Sequence, residues 1–286
     1  MPKGSTRVAA VIGHPIRHSL SPVILNSAFR ALGLDWVYVA FDVAPGEAQG
    51  ALSAMKSLGI DGYSVTMPHK TDVARAVDHL TPEASALDAV NCVSRFGRLL
   101  IGHNTDGEGF LRSLKEAYPE FGLRGARCAV VGAGGAARAI IAALGRVEVA
   151  EVIVVNRTAD RAARAAGLAG AVGRTGDESD IPGSDLVINA TPVGMAAGDG
   201  ATGADEVPFD LRLVRPGQIV ADIVYQPLET ALLRGAAERG ASVLDGLGML
   251  VHQAAIAFEI WTGEAAPVGA MREAALEHLS ARCADP

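Results

Sequence analysis

Four polar clusters stand where apolar runs give way to helical patterns: Ser19 and Ser21 in "HSLSP", Thr66 and Lys70 in "SVTMPHK", Asn91 in "AVNCV", and Asn104, Thr105 and Asp106 in "GHNTDGEGF". Junctions of this kind are where α/β proteins bind ligands. Hydroxyls, amides, one amine and one carboxylate, with no aromatic platform, suit a small polyhydroxylated acid. Three of the clusters also have a plainer reading. Thr105 or Asp106 serves as the N-cap of a helix whose apolar stripe is Phe110, Leu111 and Leu114. Ser19 and Ser21 likewise cap a helix, and Lys70 is a solvated lysine at a helix start. His14 and His18 straddle Pro15 in a loop with no third ligand in view, so no metal site is expected. His69 and His252 flank motif residues and read as structural.

A second constellation lies further along. Gly132, Gly134 and Ala137 form G-x-G-x-x-A directly after "CAVV" and directly before a helical run. In that context the first glycine permits a tight turn, the second lets the backbone approach a pyrophosphate, and the alanine allows close helix–strand contact. The helix N-terminus then offers unpaired N–H groups to phosphates. A glycine turn with no ligand is the alternative. The following strand ends in "VVNRTADR", with Asn156, Arg157, Thr158 and Arg161 where an NAD site would carry an Asp or Glu. A carboxylate there would repel a 2′-phosphate, whereas Arg157 can pair with it bidentately and Thr158 can donate a hydroxyl bond. NADP is therefore the expected cofactor; an ordinary exposed arginine opening a helix is the alternative. "NATPVGM" supplies small residues where a cofactor ring could lie, or a loop packed on the sheet.

The elements that must position these groups alternate short β-branched runs with amphipathic segments, the pattern of α/β layers. "RVAAVIG", "DWVYVAFDV" and "DGYSVTM" read as strands, "SPVILNSAFRALG" and the run ending at Gly59 as helices, and "KTDVARAVDHL" as a further helix. "AVNCVSRFGRLLIG" reads as a hairpin turning at Gly97, followed by a helix to about Tyr118. A second α/β unit opens near Arg124, with "RCAVV", "EVIVV", "SDLVIN" and "GQIVAD" as strands, then a short strand and a long helix in "ASVLDGLGMLVHQAAIAFEIWTG". Residues 196–207, small and polar, read as a mobile surface loop. The hinge is expected in the helix after Asn104.

At 286 residues and 49% hydrophobic, the chain suits one large domain or two of ordinary size. A net charge of −7 argues against nucleic acid or an anionic membrane as the main partner. Cys92, Cys128 and Cys283 are odd in number, far apart and unpatterned, which points to a reducing cytoplasm. The first residues carry too short an apolar run for a signal peptide, and no stretch is long enough to span a bilayer. A soluble intracellular protein, monomer or homodimer, is the expectation.

The motifs "GHPIRHSLSP", "SVTMPHK", "AVNCV", "GHNTDGEGF", "VVGAGGAARA", "VVNRT", "INATPVGM", "DIVYQPLET" and "GLGMLVHQAAIAFEIWTG" occur in the order in which the shikimate dehydrogenase family carries them. The chain resembles that family over nearly its whole length. The resemblance implies NADP-linked interconversion of 3-dehydroshikimate and shikimate, on the route to chorismate and the aromatic amino acids. It also implies two α/β domains around a cleft: a substrate domain at 1–106, completed by 246–286, and a Rossmann-type domain at 107–245. Ser19, Ser21 and Tyr225 would hold the substrate carboxylate. Thr66, Asn91, Asp106 and Gln253 would hold the ring hydroxyls, and Lys70 and Asp106 would be the catalytic pair. Gly132, Ala133, Gly134, Gly135, Ala136, Asn156, Arg157, Thr158, Arg161, Thr191 and Gly246 would bind the cofactor. The chemistry agrees: hydride transfer to a ketone leaves an alkoxide, which a lysine oriented by a carboxylate can protonate. Two positions depart from the family's usual pattern: Leu25 stands where many members have His, and Ser64 where many have Asn. Quinate/shikimate and aminoshikimate dehydrogenases share this site, and a ligand sensor without turnover would keep the fold.

Overall fold

The computed structural model describes residues 1–196 and 203–284. The chain divides into two compact units, Met1–Thr105 with Val251–Pro286, and Asp106–Leu250. The first begins with β1 (Arg7–Gly13), α1 (Ser21–Ala31), β2 (Trp36–Asp42), α2 (Ala48–Leu58) and β3 (Gly62–Val65). It continues with α3 (Lys70–Ala76), β4 (His79–Leu80), α4 (Pro82–Leu87), β5 (Cys92–Phe96) and β6 (Leu99–His103). The second holds α5 (Asp106–Ala117), β7 (Arg127–Val131), α6 (Gly135–Gly145), β8 (Glu151–Val155) and α7 (Ala159–Ala166). After them come β9 (Gly173–Gly176), β10 (Leu186–Asn189), β11 (Ile219–Asp222), α8 (Ala231–Ala237) and β12 (Ser242–Leu244). Helix α9 (Gly246–Thr262) carries the chain from the second unit back into the first, and α10 (Val268–Ala284) follows.

Among the described residues the first unit has a mixed six-stranded sheet in the order β2-β1-β3-β5-β6-β4. Register decides what each face carries. Ala9 lies opposite both Tyr38 and Gly62, Val11 opposite Ser64, and Ser64 opposite Cys92, so these residues share one face. The other face, with Ile12, Tyr63, Val65 and Val93, packs on Leu52 and Met55 of α2 and Val73 of α3. The face bearing Gly62 is closed by the end of the chain. The Trp261 indole of α9 lies where a Cβ on residue 62 would be, so only glycine admits it. Its N–H donates to the Val93 carbonyl (3.0 Å), and its ring stacks on Tyr38 with centroids 6.0 Å apart. Phe258 meets Phe29 of α1 in the same layer, and Ser27 donates to the Ala270 carbonyl of α10.

Local chemistry sets the ends of these elements. Gly59, with φ of 71°, gives α2 its left-handed C-cap, and Thr81 accepts the Ala84 N–H to start α4 behind Pro82. The helix expected over "KTDVARAVDHL" stops at Ala76. Val77 is extended, and His79–Leu80 instead pairs with β6. The Asp78 carboxylate fixes that change of direction by accepting the Leu100 N–H and the Lys56 ammonium, both at 2.7 Å. Helix α4 is an element that the sequence reading left out.

Among the described residues the second unit has a six-stranded sheet in the order β12-β11-β10-β7-β8-β9, with every pair parallel. That order and direction are those of a Rossmann fold. Val130, Val152 and Ile188 face Ile140, Ile141 and Leu144 of α6, while Val187 and Val220 face Leu232 and Leu233 of α8. Of the loop expected over 196–207, residues 197–202 lie outside the described residues. No helix among the described residues is long and apolar enough to cross a membrane.

Candidate active site

In the first unit, main-chain bonds draw the clusters together. The β3–α3 turn closes when His69 N–H donates to the Thr66 carbonyl (3.0 Å), and Thr66 N–H donates to Ile12 at the end of β1. His69 is fully buried, with Nε2 against the Val43 carbonyl at 2.8 Å, so its ring ties the turn to the segment after β2. The carbonyl of Lys70 accepts the Val90 N–H, and that of Asn91 accepts the Val65 N–H. The buried Asn91 amide then clamps Thr105, accepting its N–H at 2.8 Å and donating to its hydroxyl at 2.9 Å. With one acceptor position filled by Asn91, the Thr105 hydroxyl can give its proton to the Gln253 carbonyl, 3.1 Å away. Thr66, Lys70, Asn91, Thr105 and Gln253 are thus linked through one bonded framework.

The helix-cap reading of the serines fares unevenly. The N-cap of α1 is Leu20, no side chain caps it, and Ser21 is already the first helical residue. Ser19 Oγ does accept the Ser21 N–H at 3.3 Å, a local turn bond. Leu25 is fully buried in the α1 core face, and Ser64 is half-buried on β3. His14 pairs with Asp42 through Nδ1 at 2.7 Å. Among the described residues no cluster of three or more His, Cys, Asp or Glu could hold a metal.

Asp106, placed at the edge of the expected first domain, opens α5 in the second unit and is buried. The next residue explains the tight seat of that helix turn. A side chain on Gly107 would run into the Ala139 carbonyl and Ala143 of α6.

The cofactor motif has the features that a pyrophosphate needs. Gly132 has φ of 114°, a conformation side chains resist, and its N–H donates to Val155 at the end of β8. A Cβ there would press on Ala190 and Thr191. Gly134 is the N-cap of α6 without any side-chain cap, and the space above Gly134 and Gly135 is open. Ala137 is fully buried against the sheet. After β8, Asn156 donates to the Thr158 carbonyl, and Arg157, Thr158 and Arg161 are exposed around the start of α7. A cavity of about 290 Å³ beside the glycine turn is lined by Ala133, Arg138, Arg161, Arg164 and Ala165. Arg138 and Arg164 were missed by the sequence reading; the signal for Arg164 was its i,i+3 spacing from Arg161 on one helix face.

Two further loops leave the middle strands side by side, since Asn189 of β10 is in register with Asp222 of β11 and with Val131 of β7. Asn189 Oδ1 accepts the Thr191 N–H (3.1 Å) and hydroxyl (2.6 Å), and its Nδ2 donates to Asp222 at 2.9 Å. Asp222 is buried, and burial pushes its carboxyl up to about 6 against the pull of its Val224, Thr230 and Asn189 donors. Its proton affinity is raised in the fold, so this group alone makes the unit less stable as pH rises from about 4 to about 6. At neutral pH the charged form costs about 3 kcal/mol. Tyr225 is half-buried three residues beyond, and Gly246 N–H donates to the Val224 carbonyl at 3.3 Å.

An all-parallel sheet in Rossmann order, a glycine turn open in front of an uncapped helix, and arginines in place of an acid after the second strand define a dinucleotide-binding α/β protein. Comparison with known proteins narrows this. Residues 11–93 match the model of the shikimate dehydrogenase substrate binding domain, 115–192 that of shikimate / quinate 5-dehydrogenase, and 246–276 that of the shikimate 5′-dehydrogenase C-terminal domain. The chain is 47% identical to the shikimate dehydrogenase (NADP(+)) of Methanopyrus kandleri, over 96% of each chain. It is 44% identical to that of Moorella thermoacetica, over 99% of this chain and 97% of the relative. The crystal structure of shikimate 5-dehydrogenase from Thermus thermophilus in complex with NADP(H) and shikimate superposes with a TM-score of 0.88, at 36% identity, covering 95% of this chain and 99% of the other. The chain belongs to the shikimate dehydrogenase family.

Proposed function

We propose that this protein catalyses the reversible NADP-dependent reduction of 3-dehydroshikimate to shikimate. The observation that carries the reading is the family's motifs in order, with departures only at Leu25 and Ser64, on the family's fold, and arginines where an NAD site would hold an acid. NADPH, when bound, would supply the hydride for the reduction, and NADP+ would accept it in the reverse direction. The open α6 N-terminus at Gly134 and Gly135 fits its pyrophosphate, and Arg157, Thr158 and Arg161 fit the 2′-phosphate. Lys70 donates the proton that the developing alkoxide requires, and Asp106 orients its ammonium. Ser19, Ser21 and Tyr225 hold the carboxylate; Thr66, Asn91, Asp106 and Gln253 hold the ring hydroxyls. Intact Lys70 and Asp106 favour turnover over ligand sensing, since a sensor needs no proton donor. Cys92 and Cys128 are buried free thiols whose pKa burial raises, in keeping with a reducing, cytoplasmic setting.

The test is turnover by purified protein with shikimate or quinate and NADP+ or NAD+. Shikimate with NADP+ is expected to be the preferred pair. Arg157→Ala should cost about 10–150-fold in NADP+ affinity, the worth of one charge-assisted pair, and leave NAD+ affinity unmoved. Equal affinity of the unaltered protein for the two cofactors would remove this assignment.

The serines separate binding from chemistry. Contacts made equally in ground and transition states appear mainly in KM. The double variant Ser19→Ala, Ser21→Ala should therefore raise KM for shikimate at least tenfold, with NADP+ affinity unchanged. A variant that melts earlier yet keeps its KM would return these serines to a purely local role.

A further inference from the structure

Asp222 carries more bonds than a strand end needs. Its Oδ1 accepts the Asn189 amide (2.9 Å) and the Val224 N–H (3.0 Å), and its Oδ2 accepts the Thr230 hydroxyl (2.8 Å). Each donor belongs to a different stretch. Through Asn189, the carboxylate reaches the loop after β10. The second Asn189 amide proton goes to the Val193 carbonyl (3.2 Å), and Thr191 Oγ1 accepts the Val193 N–H (3.2 Å), so residues 189–193 are folded around that one side chain. Thr191 in turn packs on the Gly132 turn. Through Val224, the carboxylate reaches the residue before Tyr225 and the carbonyl on which Gly246 rests. Through Thr230, it reaches α8, which that same hydroxyl caps by accepting the Leu233 N–H (3.3 Å). All these residues lie in the second unit.

A purely packed core would place an apolar residue here, because a buried carboxylate has to be repaid by its donors. What a carboxylate offers instead is several acceptor positions at fixed directions. We infer that Asp222 is a positioning residue, which sets Thr191 and Tyr225 at fixed places relative to the glycine turn. The inference rests on the proposed reaction for its catalytic consequence, but not for its geometry. It acts in the way that outer-shell partners hold metal or substrate ligands, where loss commonly costs 10–100-fold in activity.

The experiment compares Asp222→Ala, Asp222→Asn and Asn189→Ala by backbone amide exchange and by kinetics. In Asp222→Ala, exchange at Thr191, Val193 and Val224 should rise at least tenfold, with Ile140 of α6 unchanged. Turnover with shikimate and NADP+ should fall 10–100-fold in kcat/KM. Binding of 2′,5′-ADP, which reports only the Arg157 and Arg161 end, should stay within twofold. Asp222→Asn keeps an acceptor on Oδ1, and the Thr230 hydroxyl can turn to accept from its amide, so it should restore most of the loss. Asn189→Ala, the fallback if Asp222→Ala does not fold, should release Thr191 and Val193 while leaving Val224 protected. Unchanged exchange at all three amides would overturn the inference, even if the unaltered protein turned over shikimate. So would a loss of 2′,5′-ADP binding in step with kcat/KM, which marks general loosening of the unit. If the unaltered protein failed to turn over shikimate, the function reading would fall, and the exchange pattern alone would decide the role of Asp222.

Discussion

Lys70→Ala is expected to lower kcat by about 10²–10⁴-fold, the usual scale for a positioned proton donor. The fold should survive, because it is the Lys70 carbonyl, not its side chain, that the Val90 N–H uses to dock the start of α3. NADP+ affinity should move less than threefold, since the glycine turn and the Arg157 cluster belong to the other unit. Lys70→Arg should rescue little: a guanidinium is held protonated well above any working pH and gives up its proton poorly. Single-turnover rates with shikimate and NADP+ check this. A variant that keeps more than a tenth of the original kcat would take Lys70 out of the proton transfer.

The second large effect is structural. Trp261→Ala should destabilise the first unit by about 3–5 kcal/mol, the range for emptying a large aromatic site in a core. Three losses combine there. The cavity opens directly over Gly62, the stacking on Tyr38 goes, and the Val93 carbonyl loses its donor. Gly62→Val attacks the same contact from the sheet side and should also destabilise, because its branched side chain would occupy the indole's place. Denaturant unfolding followed at equilibrium, with 2′,5′-ADP binding as a reporter of the second unit, measures both. A shift below about 1 kcal/mol for Trp261→Ala would mean that the indole contributes little.

The strands of the second unit were plain in "RCAVV", "EVIVV" and "SDLVIN", because a parallel sheet covered on both faces demands unbroken apolar runs. The end of α3 was not. "DHL" continues a helical period, and only the long-range bonds of Asp78 to Leu100 and Lys56 turn it into a strand. Helix α4 was overlooked although Thr81, Pro82 and Glu83 form a recognisable start, because its six residues are too few to show a period. In the candidate site, the side chains at motif positions were legible from their types and order. Asp222 and Arg138 were not, and Arg164 showed only its i,i+3 spacing from Arg161. A lone Asp at a strand end looks like many others until the register sets Asn189 beside it, and the two arginines converge only when α6 and α7 lie side by side on the folded sheet.

The return of α9 and α10 to the first unit has a bearing on how the protein is made. A ribosome releases residues 1–105 first; α1 covers the Trp36 and Tyr38 side of the sheet face through Phe29 and Asn26, but the part over Gly62 waits for Trp261, and Phe29 waits for Phe258. The middle of the chain, by contrast, is a contiguous stretch that can close around its own parallel sheet as soon as it emerges. The half made first is therefore the half completed last. For the whole of the intervening synthesis, the part of that face over Gly62 stays open to whatever else is in the cell.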